Sequence, residues 1–200
     1  MPKISQEKMQ QRRQEILNKA FEVFSDKGYS QASMEDIVKH SGISKGGIYT
    51  HFKSKEEIFL AIADQCFELS NDLFSRMAEV ETVSEKISMY IHWNLDGLKD
   101  EATRMGARFA IEFWSIISRD ASKAYISKNR YDYFEKDLEE LLLEGIQKGE
   151  FRSDLNTKNA AYIIMSAMDG ITTTDAVVGV KIREEIVNDF IQMVLSYLRG

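Results

Sequence analysis

The chain has 200 residues, of which 44% are hydrophobic and 29% are charged, so it is long enough to bury one or two hydrophobic cores. Its formal charge of −6 argues against a protein that binds nucleic acid non-specifically through bulk positive charge. The sequence has no run of 18 apolar residues, and its amino terminus has no apolar signal core, so we expect no membrane segment and a cytoplasmic protein.

The first predicted helix carries apolar residues at helical spacing and ends at Gly28. Its apolar stripe contains Ile16, Leu17, Ala20 and Phe24. Glycine readily adopts the left-handed conformation that ends a helix, so Gly28 marks the end of this element. We expect this helix to support the two short helices that follow it.

The next predicted feature is a pair of short helices separated by a tight turn. Ser33 is placed to cap the first of them, Gly42 stands at the turn, and Ser44 is placed to cap the second. Ile48 and Phe52 lie four residues apart and would anchor the second helix to the core. Two short helices joined in this way form a helix-turn-helix, whose second helix can lie in the DNA major groove.

The second short helix carries an unusual set of residues on its remaining surface. These residues are Lys45, Gly46, Gly47, Tyr49, Thr50 and His51. Adjacent glycines destabilise a helix, so this segment is either a loop or a helix whose backbone approaches a base edge or a thymine methyl group. Lys45 is suited to donate to guanine O6 or N7, whereas Tyr49, His51 and Lys55 are residue types that contact phosphates. Alternatively, His51 is a surface or core-edge histidine and Lys55 is an ordinary lysine at a helix start.

The run from Gly28 to Phe59, GYSQASMEDIVKHSGISKGGIYTHFKSKEEIF, resembles the amino-terminal domain of the tetracycline-repressor (TetR) family. The matching parts are Gly-Tyr, Ser-x-x-Asp-Ile, Ser-Gly-Ile-Ser and Gly-x-Ile-Tyr-x-His-Phe-x-x-Lys. The resemblance covers about residues 8–77 well. It implies base contacts from Lys45 and Gly46, a DNA contact from Thr50, and phosphate contacts from the residues named above for that role. The expected DNA-binding set is therefore Ser33, Ser44, Lys45, Gly46, Gly47, Tyr49, Thr50, His51 and Lys55.

Charge is distributed unevenly along the chain. Residues 1–55 hold 10 Lys/Arg and 6 Asp/Glu, a net charge of +4, whereas residues 56–200 hold 16 and 26, a net charge of −10. A positive end on an acidic body suits a specific DNA-binding protein. We expect a DNA-binding domain over residues 1–55 and a helical effector-binding and dimerisation domain over residues 56–200. By fold, the boundary would lie within the helix that follows residue 54.

Helical patterns continue to the end of the chain. Ser54 and Glu57 predict a capping box that opens a long connecting helix, and Thr82 and Glu85 predict a second capping box. Further helices are expected at about 103–118, 122–148, 157–178 and 181–198, with a loop at 149–156. The expected fold class is all-α, with an N-terminal three-helix helix-turn-helix domain and a C-terminal helical ligand-binding and dimerisation domain.

The last two predicted helices carry more apolar surface than packing against one core requires. In the final helix, apolar residues cover two adjacent flanks. One flank contains Ile182, Ile186, Phe190, Met193, Val194 and Tyr197, and the other contains Val187, Ile191, Leu195 and Leu198. Either the helix pair is buried within one subunit, or it also packs against a second copy. The family resemblance implies a homodimer built from the last two helices of each subunit, and a two-fold dimer implies a palindromic operator.

Aromatic and methionine residues are concentrated in the middle helices, with polar residues inside apolar stretches. The candidate ligand-binding residues are Trp93, Phe109, Glu112, Phe113, Trp114, Tyr125, Met165, Met168 and Asp169. They either belong to an ordinary core or line a pocket between helices. A carboxylate beside aromatic rings is suited to a cationic, lipophilic molecule, because a buried charge requires a partner. The expected effector is therefore a small apolar or cationic molecule. Alternatively, Glu112 is an edge-of-core carboxylate paired with Arg108.

Sequence motifs for catalysis are absent. The three histidines are far apart, and the sequence has no Cys-x-x-Cys, His-Glu-x-x-His, phosphate loop or nucleophile elbow. We therefore expect no enzymatic activity, no metal and no cofactor. The sequence predicts a ligand-responsive transcriptional regulator, a repressor that binds its DNA operator as a dimer and is released by a small effector. The alternatives are a module whose helix-turn-helix contacts proteins, and a helical enzyme without a recognised motif.

Overall fold

The computed structural model describes residues 6–200, except for the side chains of residues 66–72, 74, 124, 127 and 130. Across this described range the α-helical elements occur in an order that matches the predicted one. They are α1 (Gln6–Lys27), α2 (Met34–Ser41), α3 (Lys45–His51), α4 (Lys55–Met77), α5 (Val83–Leu95), α6 (Glu101–Ile117), α7 (Ala124–Gln147), α8 (Thr157–Thr173) and α9 (Glu184–Arg199). A 3₁₀ turn at Asp96–Lys99 joins α5 to α6, and a π turn at Thr174–Val178 follows α8.

The π turn is the main departure from the predicted helix boundaries. The helix expected over residues 157–178 ends as an α-helix at Thr173, and Gly179 then takes a φ of +85°. Asp175 is almost fully buried in this turn, and its carboxylate accepts a hydrogen bond from the backbone N–H of Ile182 at 2.6 Å. This bond ties the connection before α9 to the π turn. The last helix begins at Glu184 rather than at the predicted residue 181.

The capping box predicted at Ser54 is only half formed. The backbone N–H of Glu57 donates to Ser54 Oγ at 3.2 Å, as expected. The Glu57 carboxylate, however, accepts from the backbone N–H of Lys53 at 2.6 Å, one residue before the cap. Thr82 caps α5 as expected, because Thr82 Oγ1 accepts from the backbone N–H of Glu85 at 3.2 Å, and the Glu85 carboxylate accepts from the Thr82 hydroxyl at 2.8 Å.

The chain divides into two compact units within α4, so that one unit ends at Ser70 and the other begins at Asn71. The first unit contains α1, α2, α3 and the first part of α4. Its core is made by aliphatic and aromatic side chains from all four helices, with Phe24 and Phe59 in edge-to-face contact at 5.8 Å between ring centroids. The buried members include Ile16, Leu17, Ala20, Phe24, Ile37, Ile48, Phe52, Ile58 and Phe59.

The second unit contains the end of α4 and α5 to α9. A buried hydrophobic cluster joins α5, α7, α8 and α9, and includes Ile87, Leu95, Leu142, Ala161, Val187 and Leu198. Among the described residues, no helix combines the length and apolar character that crossing a membrane requires.

Candidate nucleic-acid interface

The amino end of α2 is fixed by the predicted capping box. Ser33 Oγ accepts from the backbone N–H of Asp36 at 3.1 Å, and the backbone N–H of Ser33 donates to the Asp36 carboxylate at 2.9 Å. Lys27 donates to the same carboxylate, and this bond, with those from Ser33, holds the pKa of Asp36 well below its ordinary value. The Ser33 hydroxyl also donates to this carboxylate at 2.6 Å, so the side chain expected in the DNA-binding set acts here as a cap.

The turn between α2 and α3 has the geometry of a helix-turn-helix. Gly42 takes a φ of +68° and donates its N–H to the carbonyl of Val38, which closes α2. Ser44 Oγ accepts from the backbone N–H of Gly47 at 3.2 Å and so caps α3. Ile48 and Phe52 are buried as predicted, and they fix which side of α3 faces the core. The interpretation of residues 46 and 47 as a loop is wrong, because both lie within α3.

The opposite side of α3 carries accessible polar groups. Lys45 keeps 62% of its side chain exposed, with its ammonium 3.6 Å from the carboxylate of Glu35. Thr50 is exposed, and its hydroxyl donates to the carbonyl of Gly46 at 2.8 Å, so its methyl group and oxygen lone pairs remain available. Tyr49 and His51 are half-buried at the edges of this side.

The two glycines of α3 have different surroundings. A Cβ atom at Gly46 would meet no atom within 4 Å, whereas a Cβ at Gly47 would lie 3.0 Å from Ile43 Cγ2 and 3.2 Å from Ser44 Oγ. Packing inside the subunit therefore accounts for glycine at position 47. No contact within the subunit accounts for glycine at position 46, and this open position lies on the accessible side of α3.

Lys55 does not share the accessibility of Lys45. Its ammonium donates to the backbone carbonyls of Tyr29 and Ala32, both at 2.8 Å, in the connection between α1 and α2. These bonds distinguish Lys55 from the alternative of an ordinary helix-start lysine, and its expected phosphate contact stays a prediction. The acceptors are backbone atoms more than twenty residues away, which no residue pattern indicates.

Comparison with known proteins identifies the protein family to which this chain belongs. Residues 16–62 match the family of bacterial regulatory proteins described as tetR, and residues 86–186 match a tetracyclin repressor-like C-terminal domain. The HTH-type transcriptional regulator YfiR of Bacillus subtilis is 32% identical over 170 residues, which cover 85% of this chain and 82% of YfiR. The chain belongs to the TetR family.

Two solved structures share the fold of this TetR-family chain. The fatty acid degradation regulator FadR of Bacillus halodurans has a TM-score of 0.78 at 23% identity, covering 94% of this chain and 97% of FadR. A transcriptional regulator from Saccharomonospora viridis in complex with choline has a TM-score of 0.79 at 20% identity, covering 94% and 95%.

Membership of the TetR family makes this chain a DNA-binding transcriptional regulator. The family consists of non-enzymatic regulators that bind DNA operators and small-molecule effectors as dimers. Among the described side chains, no group of three His, Cys, Asp or Glu residues is arranged to hold a metal ion.

The candidate ligand-binding residues lie in the second unit, residues 71–200, which we call the body, and they fall into two groups. Phe109, Phe113, Met165 and Met168 are buried, while Glu112 and Trp114 are half-buried on α6. The remaining three lie at the surface, with Trp93 40% and Tyr125 62% exposed, and Asp169 also exposed on α8. The structure therefore brings buried aromatic and methionine side chains of α6 and α8 into the body, and leaves Trp93 and Tyr125 outside its core.

The last two helices carry apolar side chains on both their buried and their exposed faces. Their inner faces are buried within the subunit. In the final helix these buried residues are Phe190 and Val194 from one predicted flank and Val187, Ile191, Leu195 and Leu198 from the other. Their outer faces keep large apolar side chains exposed, with Ile163 52% and Met193 60% accessible. The exposed outer residues are Tyr162 and Ile163 on α8 and Ile186, Met193 and Tyr197 on α9.

Sequence reasoning missed one distant cap in the body. The Glu150 carboxylate accepts from the backbone N–H groups of Val83 and Ser84 at 2.7 and 2.8 Å, and so closes the amino end of α5. Burial acts against this carboxylate, but the two backbone bonds lower its pKa overall. The residues are 66 and 67 positions apart, so a local pattern carries no trace of this contact.

Proposed function

We propose that this protein is a repressor that binds a palindromic operator as a homodimer and reads the major groove with α3. The observation that carries this proposal is the accessible side of α3, where Lys45, the open Gly46 and Thr50 stand together on a helix anchored by Ile48. Because the proposed target is bacterial DNA, the site of action would be the cytoplasm.

The proposed contacts follow from the donors and acceptors that remain available. Lys45 would donate to guanine O6 or N7. Thr50 already donates its hydroxyl hydrogen to Gly46, so it would meet DNA with its methyl group against a thymine methyl, or as an acceptor from a base amino group. Tyr49 and His51 would contact phosphates at the edges of the helix, and the capped ends at Ser33 and Ser44 would direct helix amino termini toward the backbone.

Dimerisation would use the outer faces of α8 and α9. Exposed Tyr162, Ile163, Ile186, Met193 and Tyr197 form an apolar surface that a second copy would remove from water. Such isologous packing is the usual arrangement of homodimers. It would present two copies of α3 to successive major grooves, about 34–36 Å apart.

The effector would be an apolar or cationic small molecule held by the helices of the body. Buried Phe109 and Phe113 on α6 and buried Met165 and Met168 on α8 supply apolar and aromatic surface for it. Half-buried Glu112, on the same helix as both phenylalanines, would favour a positively charged group. Proteins of this fold include one named for fatty acid degradation and one solved with choline, so the fold alone does not select between these two effector classes.

The experiment that tests the proposal is selection of bound duplexes from a random pool at a stated salt concentration, with wild type and Lys45→Ala in parallel. We expect wild type to enrich a palindrome, and Lys45→Ala to lose preference at one base pair of each half-site. Enrichment of no sequence by a folded, dimeric wild type would contradict DNA reading and favour the alternative that the helix-turn-helix contacts another protein.

A further inference from the structure

Glu35 and Lys45 bring opposite charges together beside the accessible side of α3. They lie in the first turns of α2 and α3, and a carboxylate oxygen of Glu35 is 3.6 Å from the Lys45 ammonium. The two side chains keep 83% and 62% of their surface exposed, respectively. Their separation is longer than a normal hydrogen bond, and an exposed pair of this kind contributes little to stability, so both groups are open to a ligand at small cost.

The neighbouring carboxylate of Asp36 has a structural use that Glu35 does not share. Asp36 accepts hydrogen bonds from the backbone N–H and the hydroxyl of Ser33, and it also accepts one from the Lys27 ammonium. The capping box of α2 is therefore made by Ser33 and Asp36. Glu35 adds a negative charge near the amino end of the helix, which is a general electrostatic benefit and requires no particular direction of the side chain.

An exposed carboxylate beside α3 would be repelled by DNA phosphates unless it met a hydrogen-bond donor on a base. In the major groove the base donors are amino groups, and a carboxylate is suited to accept from cytosine N4, as lysine is suited to donate to guanine O6 or N7. Guanine O6 and cytosine N4 lie side by side in a G·C pair, because they are hydrogen-bonded to each other. The 3.6 Å between Glu35 and Lys45 is also close to the rise of about 3.4 Å between neighbouring bases. The two side chains therefore offer an acceptor and a donor at the spacing of one base pair or of two adjacent ones.

We propose that Glu35 is a specificity-determining residue, which accepts a hydrogen bond from the N4 amino group of a cytosine within one base pair of the guanine that Lys45 reads. Base reading then extends from α3 to the first turn of α2. Glu35 lies outside the DNA-binding set expected from the sequence. This inference rests on the proposed function, because it requires that Lys45 faces a base in the major groove.

Selection of duplexes from a random pool by Glu35→Ala locates the base in question. We expect the variant to lose the preference of wild type for one cytosine in each half-site. Its affinity for unrelated duplex DNA should not fall and should rise at low salt, because a charge that repels phosphates has been removed. The matched control is Asp26→Ala, which removes another exposed carboxylate of the same unit and should leave every base preference unchanged.

An operator with N4-methylcytosine at the located position tests the hydrogen bond itself. In a base-paired duplex the methyl group replaces the amino hydrogen that faces the major groove, while Watson–Crick pairing is kept. We expect wild type to bind the methylated operator about tenfold more weakly than the unmodified one, and Glu35→Ala to bind both equally. Each comparison uses one protein on two duplexes, so a change in the stability of the variant cancels.

The outcomes separate this inference from the proposed function. If Lys45→Ala loses its guanine preference while Glu35→Ala keeps every base preference of wild type, the role of Glu35 is overturned and reading by α3 stands. Equal binding of methylated and unmodified operator by wild type would also overturn it, because Glu35 would then act only by orienting Lys45. An equal loss on methylation in wild type and in Glu35→Ala would overturn it too, since the methyl group would then disturb another contact. A wild type that enriches no sequence would overturn both the proposed function and this inference.

Discussion

Replacement of Gly46 by alanine should separate the stability of this protein from its operator affinity. Gly46 lies in the first turn of α3 at a negative φ, and an added Cβ meets no atom within 4 Å. Alanine is preferred to glycine in helices by up to about 1 kcal/mol, so Gly46→Ala should raise the free energy of unfolding by a fraction of that amount.

The same Cβ should weaken operator binding. If the backbone at Gly46 approaches a base edge, a methyl group displaces that contact, and one base contact is worth about 1–3 kcal/mol, or about 5- to 150-fold in Kd. Gly47→Ala is the matched control for stability, because its Cβ would lie 3.0 Å from Ile43 Cγ2 and should remove the gain.

Thermal unfolding of the DNA-free protein and titration of the selected operator at fixed salt measure the two effects. A Gly46→Ala protein that is more stable and binds the operator as tightly as wild type would refute close backbone approach at this position. A protein that binds weakly but is also less stable than wild type would refute the helical, open environment described for Gly46.

Three further results are expected. Asp36→Asn should destabilise the DNA-binding unit at neutral pH. Because folding lowers the pKa of Asp36, the difference in stability between the variant and wild type should shrink as the pH falls below 3.8. Thermal unfolding at several pH values measures this difference. Met193→Glu should convert the dimer to a monomer, which light scattering measures, and should abolish operator binding. The control Gln192→Glu on the same helix should leave the dimer and operator binding unchanged. A dimeric Met193→Glu protein would contradict the proposed interface. Glu150→Gln should lower the free energy of unfolding by about 1 kcal/mol, because one amide oxygen cannot serve both N–H groups at the start of α5, and equal stability in urea titration would contradict its capping role.

The DNA-binding unit was largely predictable because its signals are local. Helix caps at Ser33 and Ser44 act over three residues, and a glycine at a left-handed turn such as Gly42 is recognised from its position alone. The hydrogen bonds of Lys55 could not be predicted, because their acceptors are carbonyls of the α1–α2 connection and any residue type presents a carbonyl.

The body was less predictable for a related reason. Helical periodicity places a residue such as Tyr125 on a helix, but it does not show whether its aromatic ring lies in the core or at the surface when several helices share one interior. Glu150 shows the same limit, because it caps a helix 66 positions earlier in the chain. The hydrogen bond from the backbone N–H of Ile182 to the Asp175 carboxylate also joins residues seven positions apart, and no local pattern indicates it.

Methylation interference on the selected operator tests most directly whether two copies of α3 read successive major grooves. Methylation of guanine N7 marks the major groove, and methylation of adenine N3 marks the minor groove. We predict two clusters of guanine interference related by two-fold symmetry and centred about 10–10.5 base pairs apart, with one guanine of each cluster lost in Lys45→Ala. A single cluster, or interference confined to adenine N3, would contradict a dimer that reads its operator through α3.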